Sequence, residues 1–144
     1  MLSRAAIYLA DPSMLGSRFL ELFDDDITYE GLKDGNHATG MLLKLPWGQL
    51  KLNFMPDGEM EEHLRGFSGY IQRFATDSET NLYAQARLHY VNMVAGCEIE
   101  HHEEDEDFVS FLFKLSGGLN GLLFFYDRVY DFSGDVLASS RADE

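Results

Sequence analysis

The densest mixture of imidazole and carboxylate in this chain is the run from Glu98 to Asp107, EIEHHEEDED, in which seven of ten residues are acidic. Neutral imidazole and carboxylate are nitrogen and oxygen ligands for divalent ions. If the run begins as a strand, Glu98, Glu100 and His102 alternate onto one face and could meet one ion. Adjacent His101 and His102 would then point to opposite faces, and the run has neither a recognised metal-ligand spacing nor the glycine turn of a calcium loop. The expectation is a solvated acidic segment, with Glu103, Glu104, Asp105, Glu106 and Asp107 offering a surface to a basic protein.

Two other histidines sit in helical patterns. His63 follows Glu59 by four residues, a spacing that permits a local ion pair or an acid–base pair on a helix surface. His89 lies beside Tyr90 and is expected as a half-buried, hydrogen-bonded side chain. Together His63, His89, Glu98, Glu100 and His102 define the alternative to a binding domain: a small enzyme or divalent-metal protein.

The remaining nucleophiles and phosphate motifs point away from catalysis. Ser68 in GFSG misses the G-x-S-x-G elbow and falls inside a helical stripe. The sequence has no G-x-G-x-x-G fingerprint and no phosphate loop ending in G-K-[ST]. Cys97 has no partner cysteine and is read as a buried small hydrophobe. Asp127, Asp131 and Asp135 recur every four residues, but VYDFSGD carries strand and turn signals, so Asp131 and Asp135 are expected to bracket Gly134. No cofactor is implied.

The elements that must position these groups are organised around TGMLLKLPWGQLKLNF, Thr39 to Phe54. Met41, Leu43 and Leu45 recur at period two before Pro46-Trp47-Gly48, and Leu50, Leu52 and Phe54 do so after it. This predicts a hairpin with one buried face and a second face of Lys44, Gln49, Lys51 and Asn53. Ala5 to Ala10 reads as a first strand, followed by a helix with Leu15, Phe19, Leu22 and Phe23 on one face. Ile27 to Leu32 reads as a strand leading through Asp34-Gly35 into the central hairpin, which makes a meander.

After the hairpin, Met60, Leu64, Phe67, Ile71 and Phe74 form one helical stripe, with Asp57 as its expected cap. Gly66 and Gly69 interrupt it, and close approach to another backbone is the expected reason. A second helix is predicted from Glu79 to Ala95 with Tyr83, Ala86, Tyr90, Met93 and Val94 inward, then a short strand from Cys97 to Glu100. Phe108, Phe111, Leu112, Leu115 and Leu119 define a further helix that begins in the acidic run, because acids favour a first helical turn, and stops at Gly117-Gly118. GLLFFY, Gly121 to Tyr126, is apolar on both faces and predicts an interior strand. DVLAS predicts an edge strand.

The 144 residues carry 25 acidic and 11 basic side chains, a formal charge of -14. That disfavours nucleic acid and anionic membranes, which are bound through Lys and Arg. A hydrophobic fraction of 45 % is that of an ordinary globular interior. No segment approaches the ~20 apolar residues of a membrane span, MLSRAAIYLA runs directly into Asp11-Pro12, and the one cysteine suits a reducing compartment. The reading is a single cytoplasmic α+β domain over residues 1–144, with 140–144 a frayed tail. Its antiparallel or mixed sheet is expected to be covered mainly on one side by three to four helices. The function expected is non-catalytic: an immunity-like or regulatory domain binding a basic protein, with homo-oligomerisation through an exposed strand or the glycine-containing helix also compatible.

Overall fold

A computed structural model describes residues 4–11, 27–100 and 105–140, apart from the side chains of Arg4, Glu100, Asp105 and Asp107. The expected helix over Leu15 to Phe23 lies outside the described residues. Eight strands form one sheet: β1 (Arg4–Leu9), β2 (Thr28–Asp34), β3 (His37–Leu45), β4 (Gly48–Phe54), β5 (Met93–Glu100), β6 (Leu122–Phe125), β7 (Arg128–Tyr130) and β8 (Val136–Ser139). Their order is β2-β3-β4-β5-β1-β6-β7-β8, and every ladder is antiparallel. Among the described residues three helices accompany them: α1 (Asp57–Phe74), α2 (Ser78–His89) and α3 (Asp105–Gly118). This is an α+β arrangement.

The central hairpin forms as its alternation requires. Met41 pairs with Leu52 and Leu43 with Leu50, and these four side chains are buried with Leu45 on one face. On the other face Lys44 is exposed, while Gln49, Lys51 and Asn53 are half-buried. The preceding hairpin turns at Gly35-Asn36, one residue later than Asp-Gly would place it, with Gly35 at φ 64°. Before that turn the register shifts between Leu32 and Lys33, and after it a Cβ at Gly40 would run into the Leu52 carbonyl. Gly40 is therefore required by close approach.

Helices cover both faces, which corrects the expectation of cover mainly on one side. Phe108, Phe111, Leu112 and Leu115 of α3 pack with Ile7, Leu9, Leu43, Leu50 and Leu123. On the opposite face Phe67 and Ile71 of α1 and Ala84 and Leu88 of α2 pack with Tyr8, Val94, Leu122 and Leu137. The cause is in β1 and β6: consecutive residues Ile7 and Tyr8, and Leu122 and Leu123, are all buried, so both surfaces of the sheet centre need a layer.

The second helix is shorter than its apolar run suggests. It ends at His89, and Met93 to Ala95 belong to β5, paired with Tyr8 and its neighbours in β1. Its buried residues are Ala84 and Leu88, whereas Tyr83, Ala86 and Tyr90 are exposed. Ladder pairing with β1 outweighs a helical period that Tyr90, Met93 and Val94 happen to continue. The α1 stripe is as expected, with Phe67 and Ile71 buried and Met60, Leu64 and Phe74 packed beside them. Its cap differs: Pro56 is the N-cap and Asp57 the first helical residue, with no side-chain cap bond. Asp77 caps α2 instead, its carboxylate accepting from the Thr80 N–H at 2.7 Å, and that bond lowers its pKa.

Candidate functional site

A cleft of about 470 Å³ opens between the first half of α1 and the sheet. Two strands build its floor. Ala6 and Tyr8 of β1 face the same side of the sheet, as does Phe124 of β6, which is paired with Ala6. Ala6 is small and its other neighbour in the same row is Gly96 of β5, so the floor drops away beside Phe124. α1 supplies the wall and rim through Glu62, His63, Gly66, Phe67 and Tyr70.

Each wall residue is held by a specific contact. Tyr8 is only 3 % exposed and stacks on Phe67 with ring centroids 4.0 Å apart and planes 2° from parallel. Its hydroxyl stands 2.8 Å from His63 Nε2. Burial pushes the Tyr8 phenol well above its ordinary range, so it is neutral and able to donate to the imidazole. Phe124 stands edge-on to Phe67 and to Tyr70, at 5.9 and 5.5 Å. The Tyr70 hydroxyl donates to the Asp127 carbonyl at 2.6 Å, which ties the far wall to the turn before β7. That turn places Tyr126 and Asp127 at φ 55° and 64°.

Gly66 and Gly69 do not meet another backbone, contrary to expectation: a Cβ at either would find no neighbour within 4 Å. At Gly66 the missing side chain leaves the rim of the cleft open. Between α1 and α2 the clasp is Ser68, whose hydroxyl donates to Gln85 Oε1 at 2.6 Å while Gln85 Nε2 donates to the Ser68 carbonyl at 2.9 Å. Ser68 is thus a packing residue.

The histidines expected to matter are separated. His63 is in the cleft, where its hydrogen-bond partner is Tyr8. His89 is exposed at the end of α2, edge-on to the Tyr90 ring at 5.2 Å, in place of the half-buried position expected. Glu98 and Glu100 lie in β5, paired in the ladder with Lys51 and Gln49 of β4. His102, with His101, Glu103 and Glu104, lies outside the described residues. Asp105 opens α3, Glu106 is exposed in its first turn, and Asp107 follows it in the helix. Among the described residues no group of three His, Cys, Asp or Glu side chains is placed to hold a metal ion.

A second cluster joins α2 to the β7–β8 turn. Tyr83 donates to Asp131 Oδ2 at 2.8 Å, and Arg87 Nη1 stands 3.9 Å from Asp131 Oδ1. Arg87 also donates to the Asn120 carbonyl at 2.9 Å and lies over the Phe132 ring at 5.4 Å. Burial, then the bond to Asp131, raises the Tyr83 pKa. The turn itself closes around Gly134 as expected, with the Gly134 N–H donating to the Asp131 carbonyl and the Asp131 N–H to that of Asp135. Cys97 is buried, and burial pushes its thiol up to about 12.

The sequence offered no motif for the cleft. Tyr8 and His63 are 55 residues apart, and only the topology joins them. The available signals were a tyrosine inside an otherwise aliphatic strand and a glycine on the border of the α1 stripe. Comparison with protein-family models, curated proteins and solved structures finds no match for this chain.

Proposed function

We propose that this chain is a non-catalytic cytoplasmic binding domain that takes a basic segment of another protein, in the manner of an immunity or regulatory domain. The observation that supports the reading most directly is the first half of α1. Asp57, Glu59, Glu61 and Glu62 are all exposed there, and Glu62 continues onto the rim of the cleft. Arg65 lies 3.3 Å from Glu61, but both side chains are well exposed and such pairs are weak in water. A net charge of -14 adds long-range attraction for a cationic partner. In this reading the run Glu103, Glu104, Asp105, Glu106 and Asp107 is a second, separate stretch to test for contact with the basic partner.

The test is retention of proteins from native lysate on the immobilised chain at low and high salt, beside a Glu59→Lys/Glu62→Lys variant. A basic protein held by the parent at low salt and lost by the variant is expected. Equal retention by both removes the role of α1, and retention of nothing at either salt removes the reading.

A second reading is a small enzyme or divalent-metal protein, favoured by the presence of a histidine, a phenol and a carboxylate around one cleft. The enzyme form of that reading rests on His63 in the cleft, and the metal form on a different set, Glu98, Glu100 and His102. Titration with zinc, followed by calorimetry on the parent and on a Glu98→Gln/His102→Ala variant, decides the metal form: one-to-one binding lost in the variant supports a site, and no heat rejects that form.

A further inference from the structure

We propose that the cleft beside α1 is an arginine-recognition site, rather than a general cation surface, within the basic-partner reading given above, on which this inference rests. The walls are aromatic and the rim carries one carboxylate. Tyr8, Phe67, Tyr70 and Phe124 supply ring faces and edges, and Glu62, exposed one helical turn before Gly66, supplies a carboxylate at the mouth. A guanidinium suits this combination better than an ammonium. It is planar, is less strongly hydrated, stacks on aromatic rings and meets a carboxylate through two parallel N–H donors. A lysine would have to shed tight hydration to enter walls that offer it few acceptors, because the Tyr8 hydroxyl is already bonded to His63.

The size and opening of the site fit an inserted side chain. About 470 Å³ lies within the range of small-ligand clefts, and the exposed rim at Glu62 and Gly66 admits a group still attached to a chain. The floor at Ala6 has no long side chain to displace, and Gly96, its ladder partner in β5, adds none beside it. Walls fixed by the Tyr8–Phe67 stack and by the Tyr70 hydrogen bond require little reordering on binding. Beside the rim, Glu59 and Glu61 attract any positive charge, so they raise affinity for arginine and lysine alike, and only the cleft distinguishes the two.

The experiment compares a short glycine-spaced arginine peptide with a lysine peptide of the same length and charge, by calorimetry at low salt. The parent is expected to bind the arginine peptide about tenfold more tightly, a difference of ~1.4 kcal/mol. Gly66→Leu fills the mouth of the cleft and replaces a helix-breaking residue with a helix former, so it is expected to melt no lower than the parent while losing the arginine preference. Glu62→Gln is expected to reduce that preference several-fold with the melting temperature unchanged. Equal affinities for the two peptides, or a preference that survives Gly66→Leu, overturn the cleft as an arginine site while leaving the acidic surface intact. Binding of neither peptide overturns the basic-partner reading and this inference with it.

Discussion

The hydroxyl of Tyr8, on a central strand, and Nε2 of His63, on the helix above it, are 2.8 Å apart at the base of the cleft, and the Tyr8 ring stacks on Phe67. The two contacts have separable weights. Tyr8→Phe keeps the stack and removes the hydrogen bond, leaving a half-buried imidazole that water can reach; it should cost about 1 kcal/mol. Tyr8→Ala also empties the ring's site and should cost about 3–5 kcal/mol. Urea unfolding of both variants checks this. Equal losses would mean that the hydroxyl, not the ring, holds β1 to α1.

Two glycines should respond to alanine with opposite signs. Gly69 is exposed in α1 with open space at its Cβ position, so Gly69→Ala should stabilise by roughly 0.5–1 kcal/mol through helix propensity. Gly40 is buried against the Leu52 carbonyl, so Gly40→Ala must displace a ladder in the central hairpin and should cost more than about 1 kcal/mol. Thermal melts of the pair are sufficient. A neutral Gly40→Ala would show that the β3–β4 ladder yields without loss.

Cys97 gives a pH dependence with a definite sign. Its thiol has an ordinary pKa of 9.0 and is raised to about 12 by burial in the folded chain. Above pH 9 the unfolded chain releases this proton and the folded chain keeps it, so folding stability from this group is intact below pH 9 and falls between pH 9 and 12. Subtracting the profile of Cys97→Ala from that of the parent isolates the effect, because the lysines and tyrosines are common to both. A flat difference between pH 9 and 10 would contradict the burial. In native protein the thiol should also react with an alkylating reagent only as fast as the chain opens.

Arg87 should resist conservative replacement. Its guanidinium donates to Asn120, stands by Asp131 and covers Phe132, with its side chain 24 % and that of Asp131 11 % exposed. A lysine cannot reproduce those directions. Arg87→Lys should cost about 1–2 kcal/mol and Arg87→Ala about 1–3, and the loss should shrink when Asp131 is already asparagine. A double-mutant cycle in urea reads the coupling, and additive losses would remove Asp131 from the account.

Much of the fold was legible where a solvated face made the pattern one-sided. Leu43 and Leu50 alternate with Lys44 and Lys51, and Phe67 and Ile71 recur at helical spacing, so the hairpin and α1 follow from period alone. The α2–β5 boundary was not legible, because Tyr90, Met93 and Val94 continue the helical spacing although Met93 to Ala95 also suit a strand; pairing with β1 decides it. Cover on both faces was underestimated for a related reason: the apolar run in β1 is too short for its period to show that both sides are buried. The cleft left still less trace, since it depends on which strand lies beneath α1. Cys97, by contrast, is buried, as its surroundings in sequence implied.

The position of β1 bears on the order in which the molecule can assemble. β5 and β6 do not pair with each other; each pairs with opposite edges of β1, whose partners lie between Met93 and Phe125. The meander β2 to β5 and the ladder β6 to β8 are therefore two blocks, each with an open ladder edge, until β1 is seated between them. During synthesis β1 emerges first and has to wait for both. Such distant pairing slows folding and leaves two strand edges uncovered in the interval, so the chain should be most prone to association before β6 has left the ribosome.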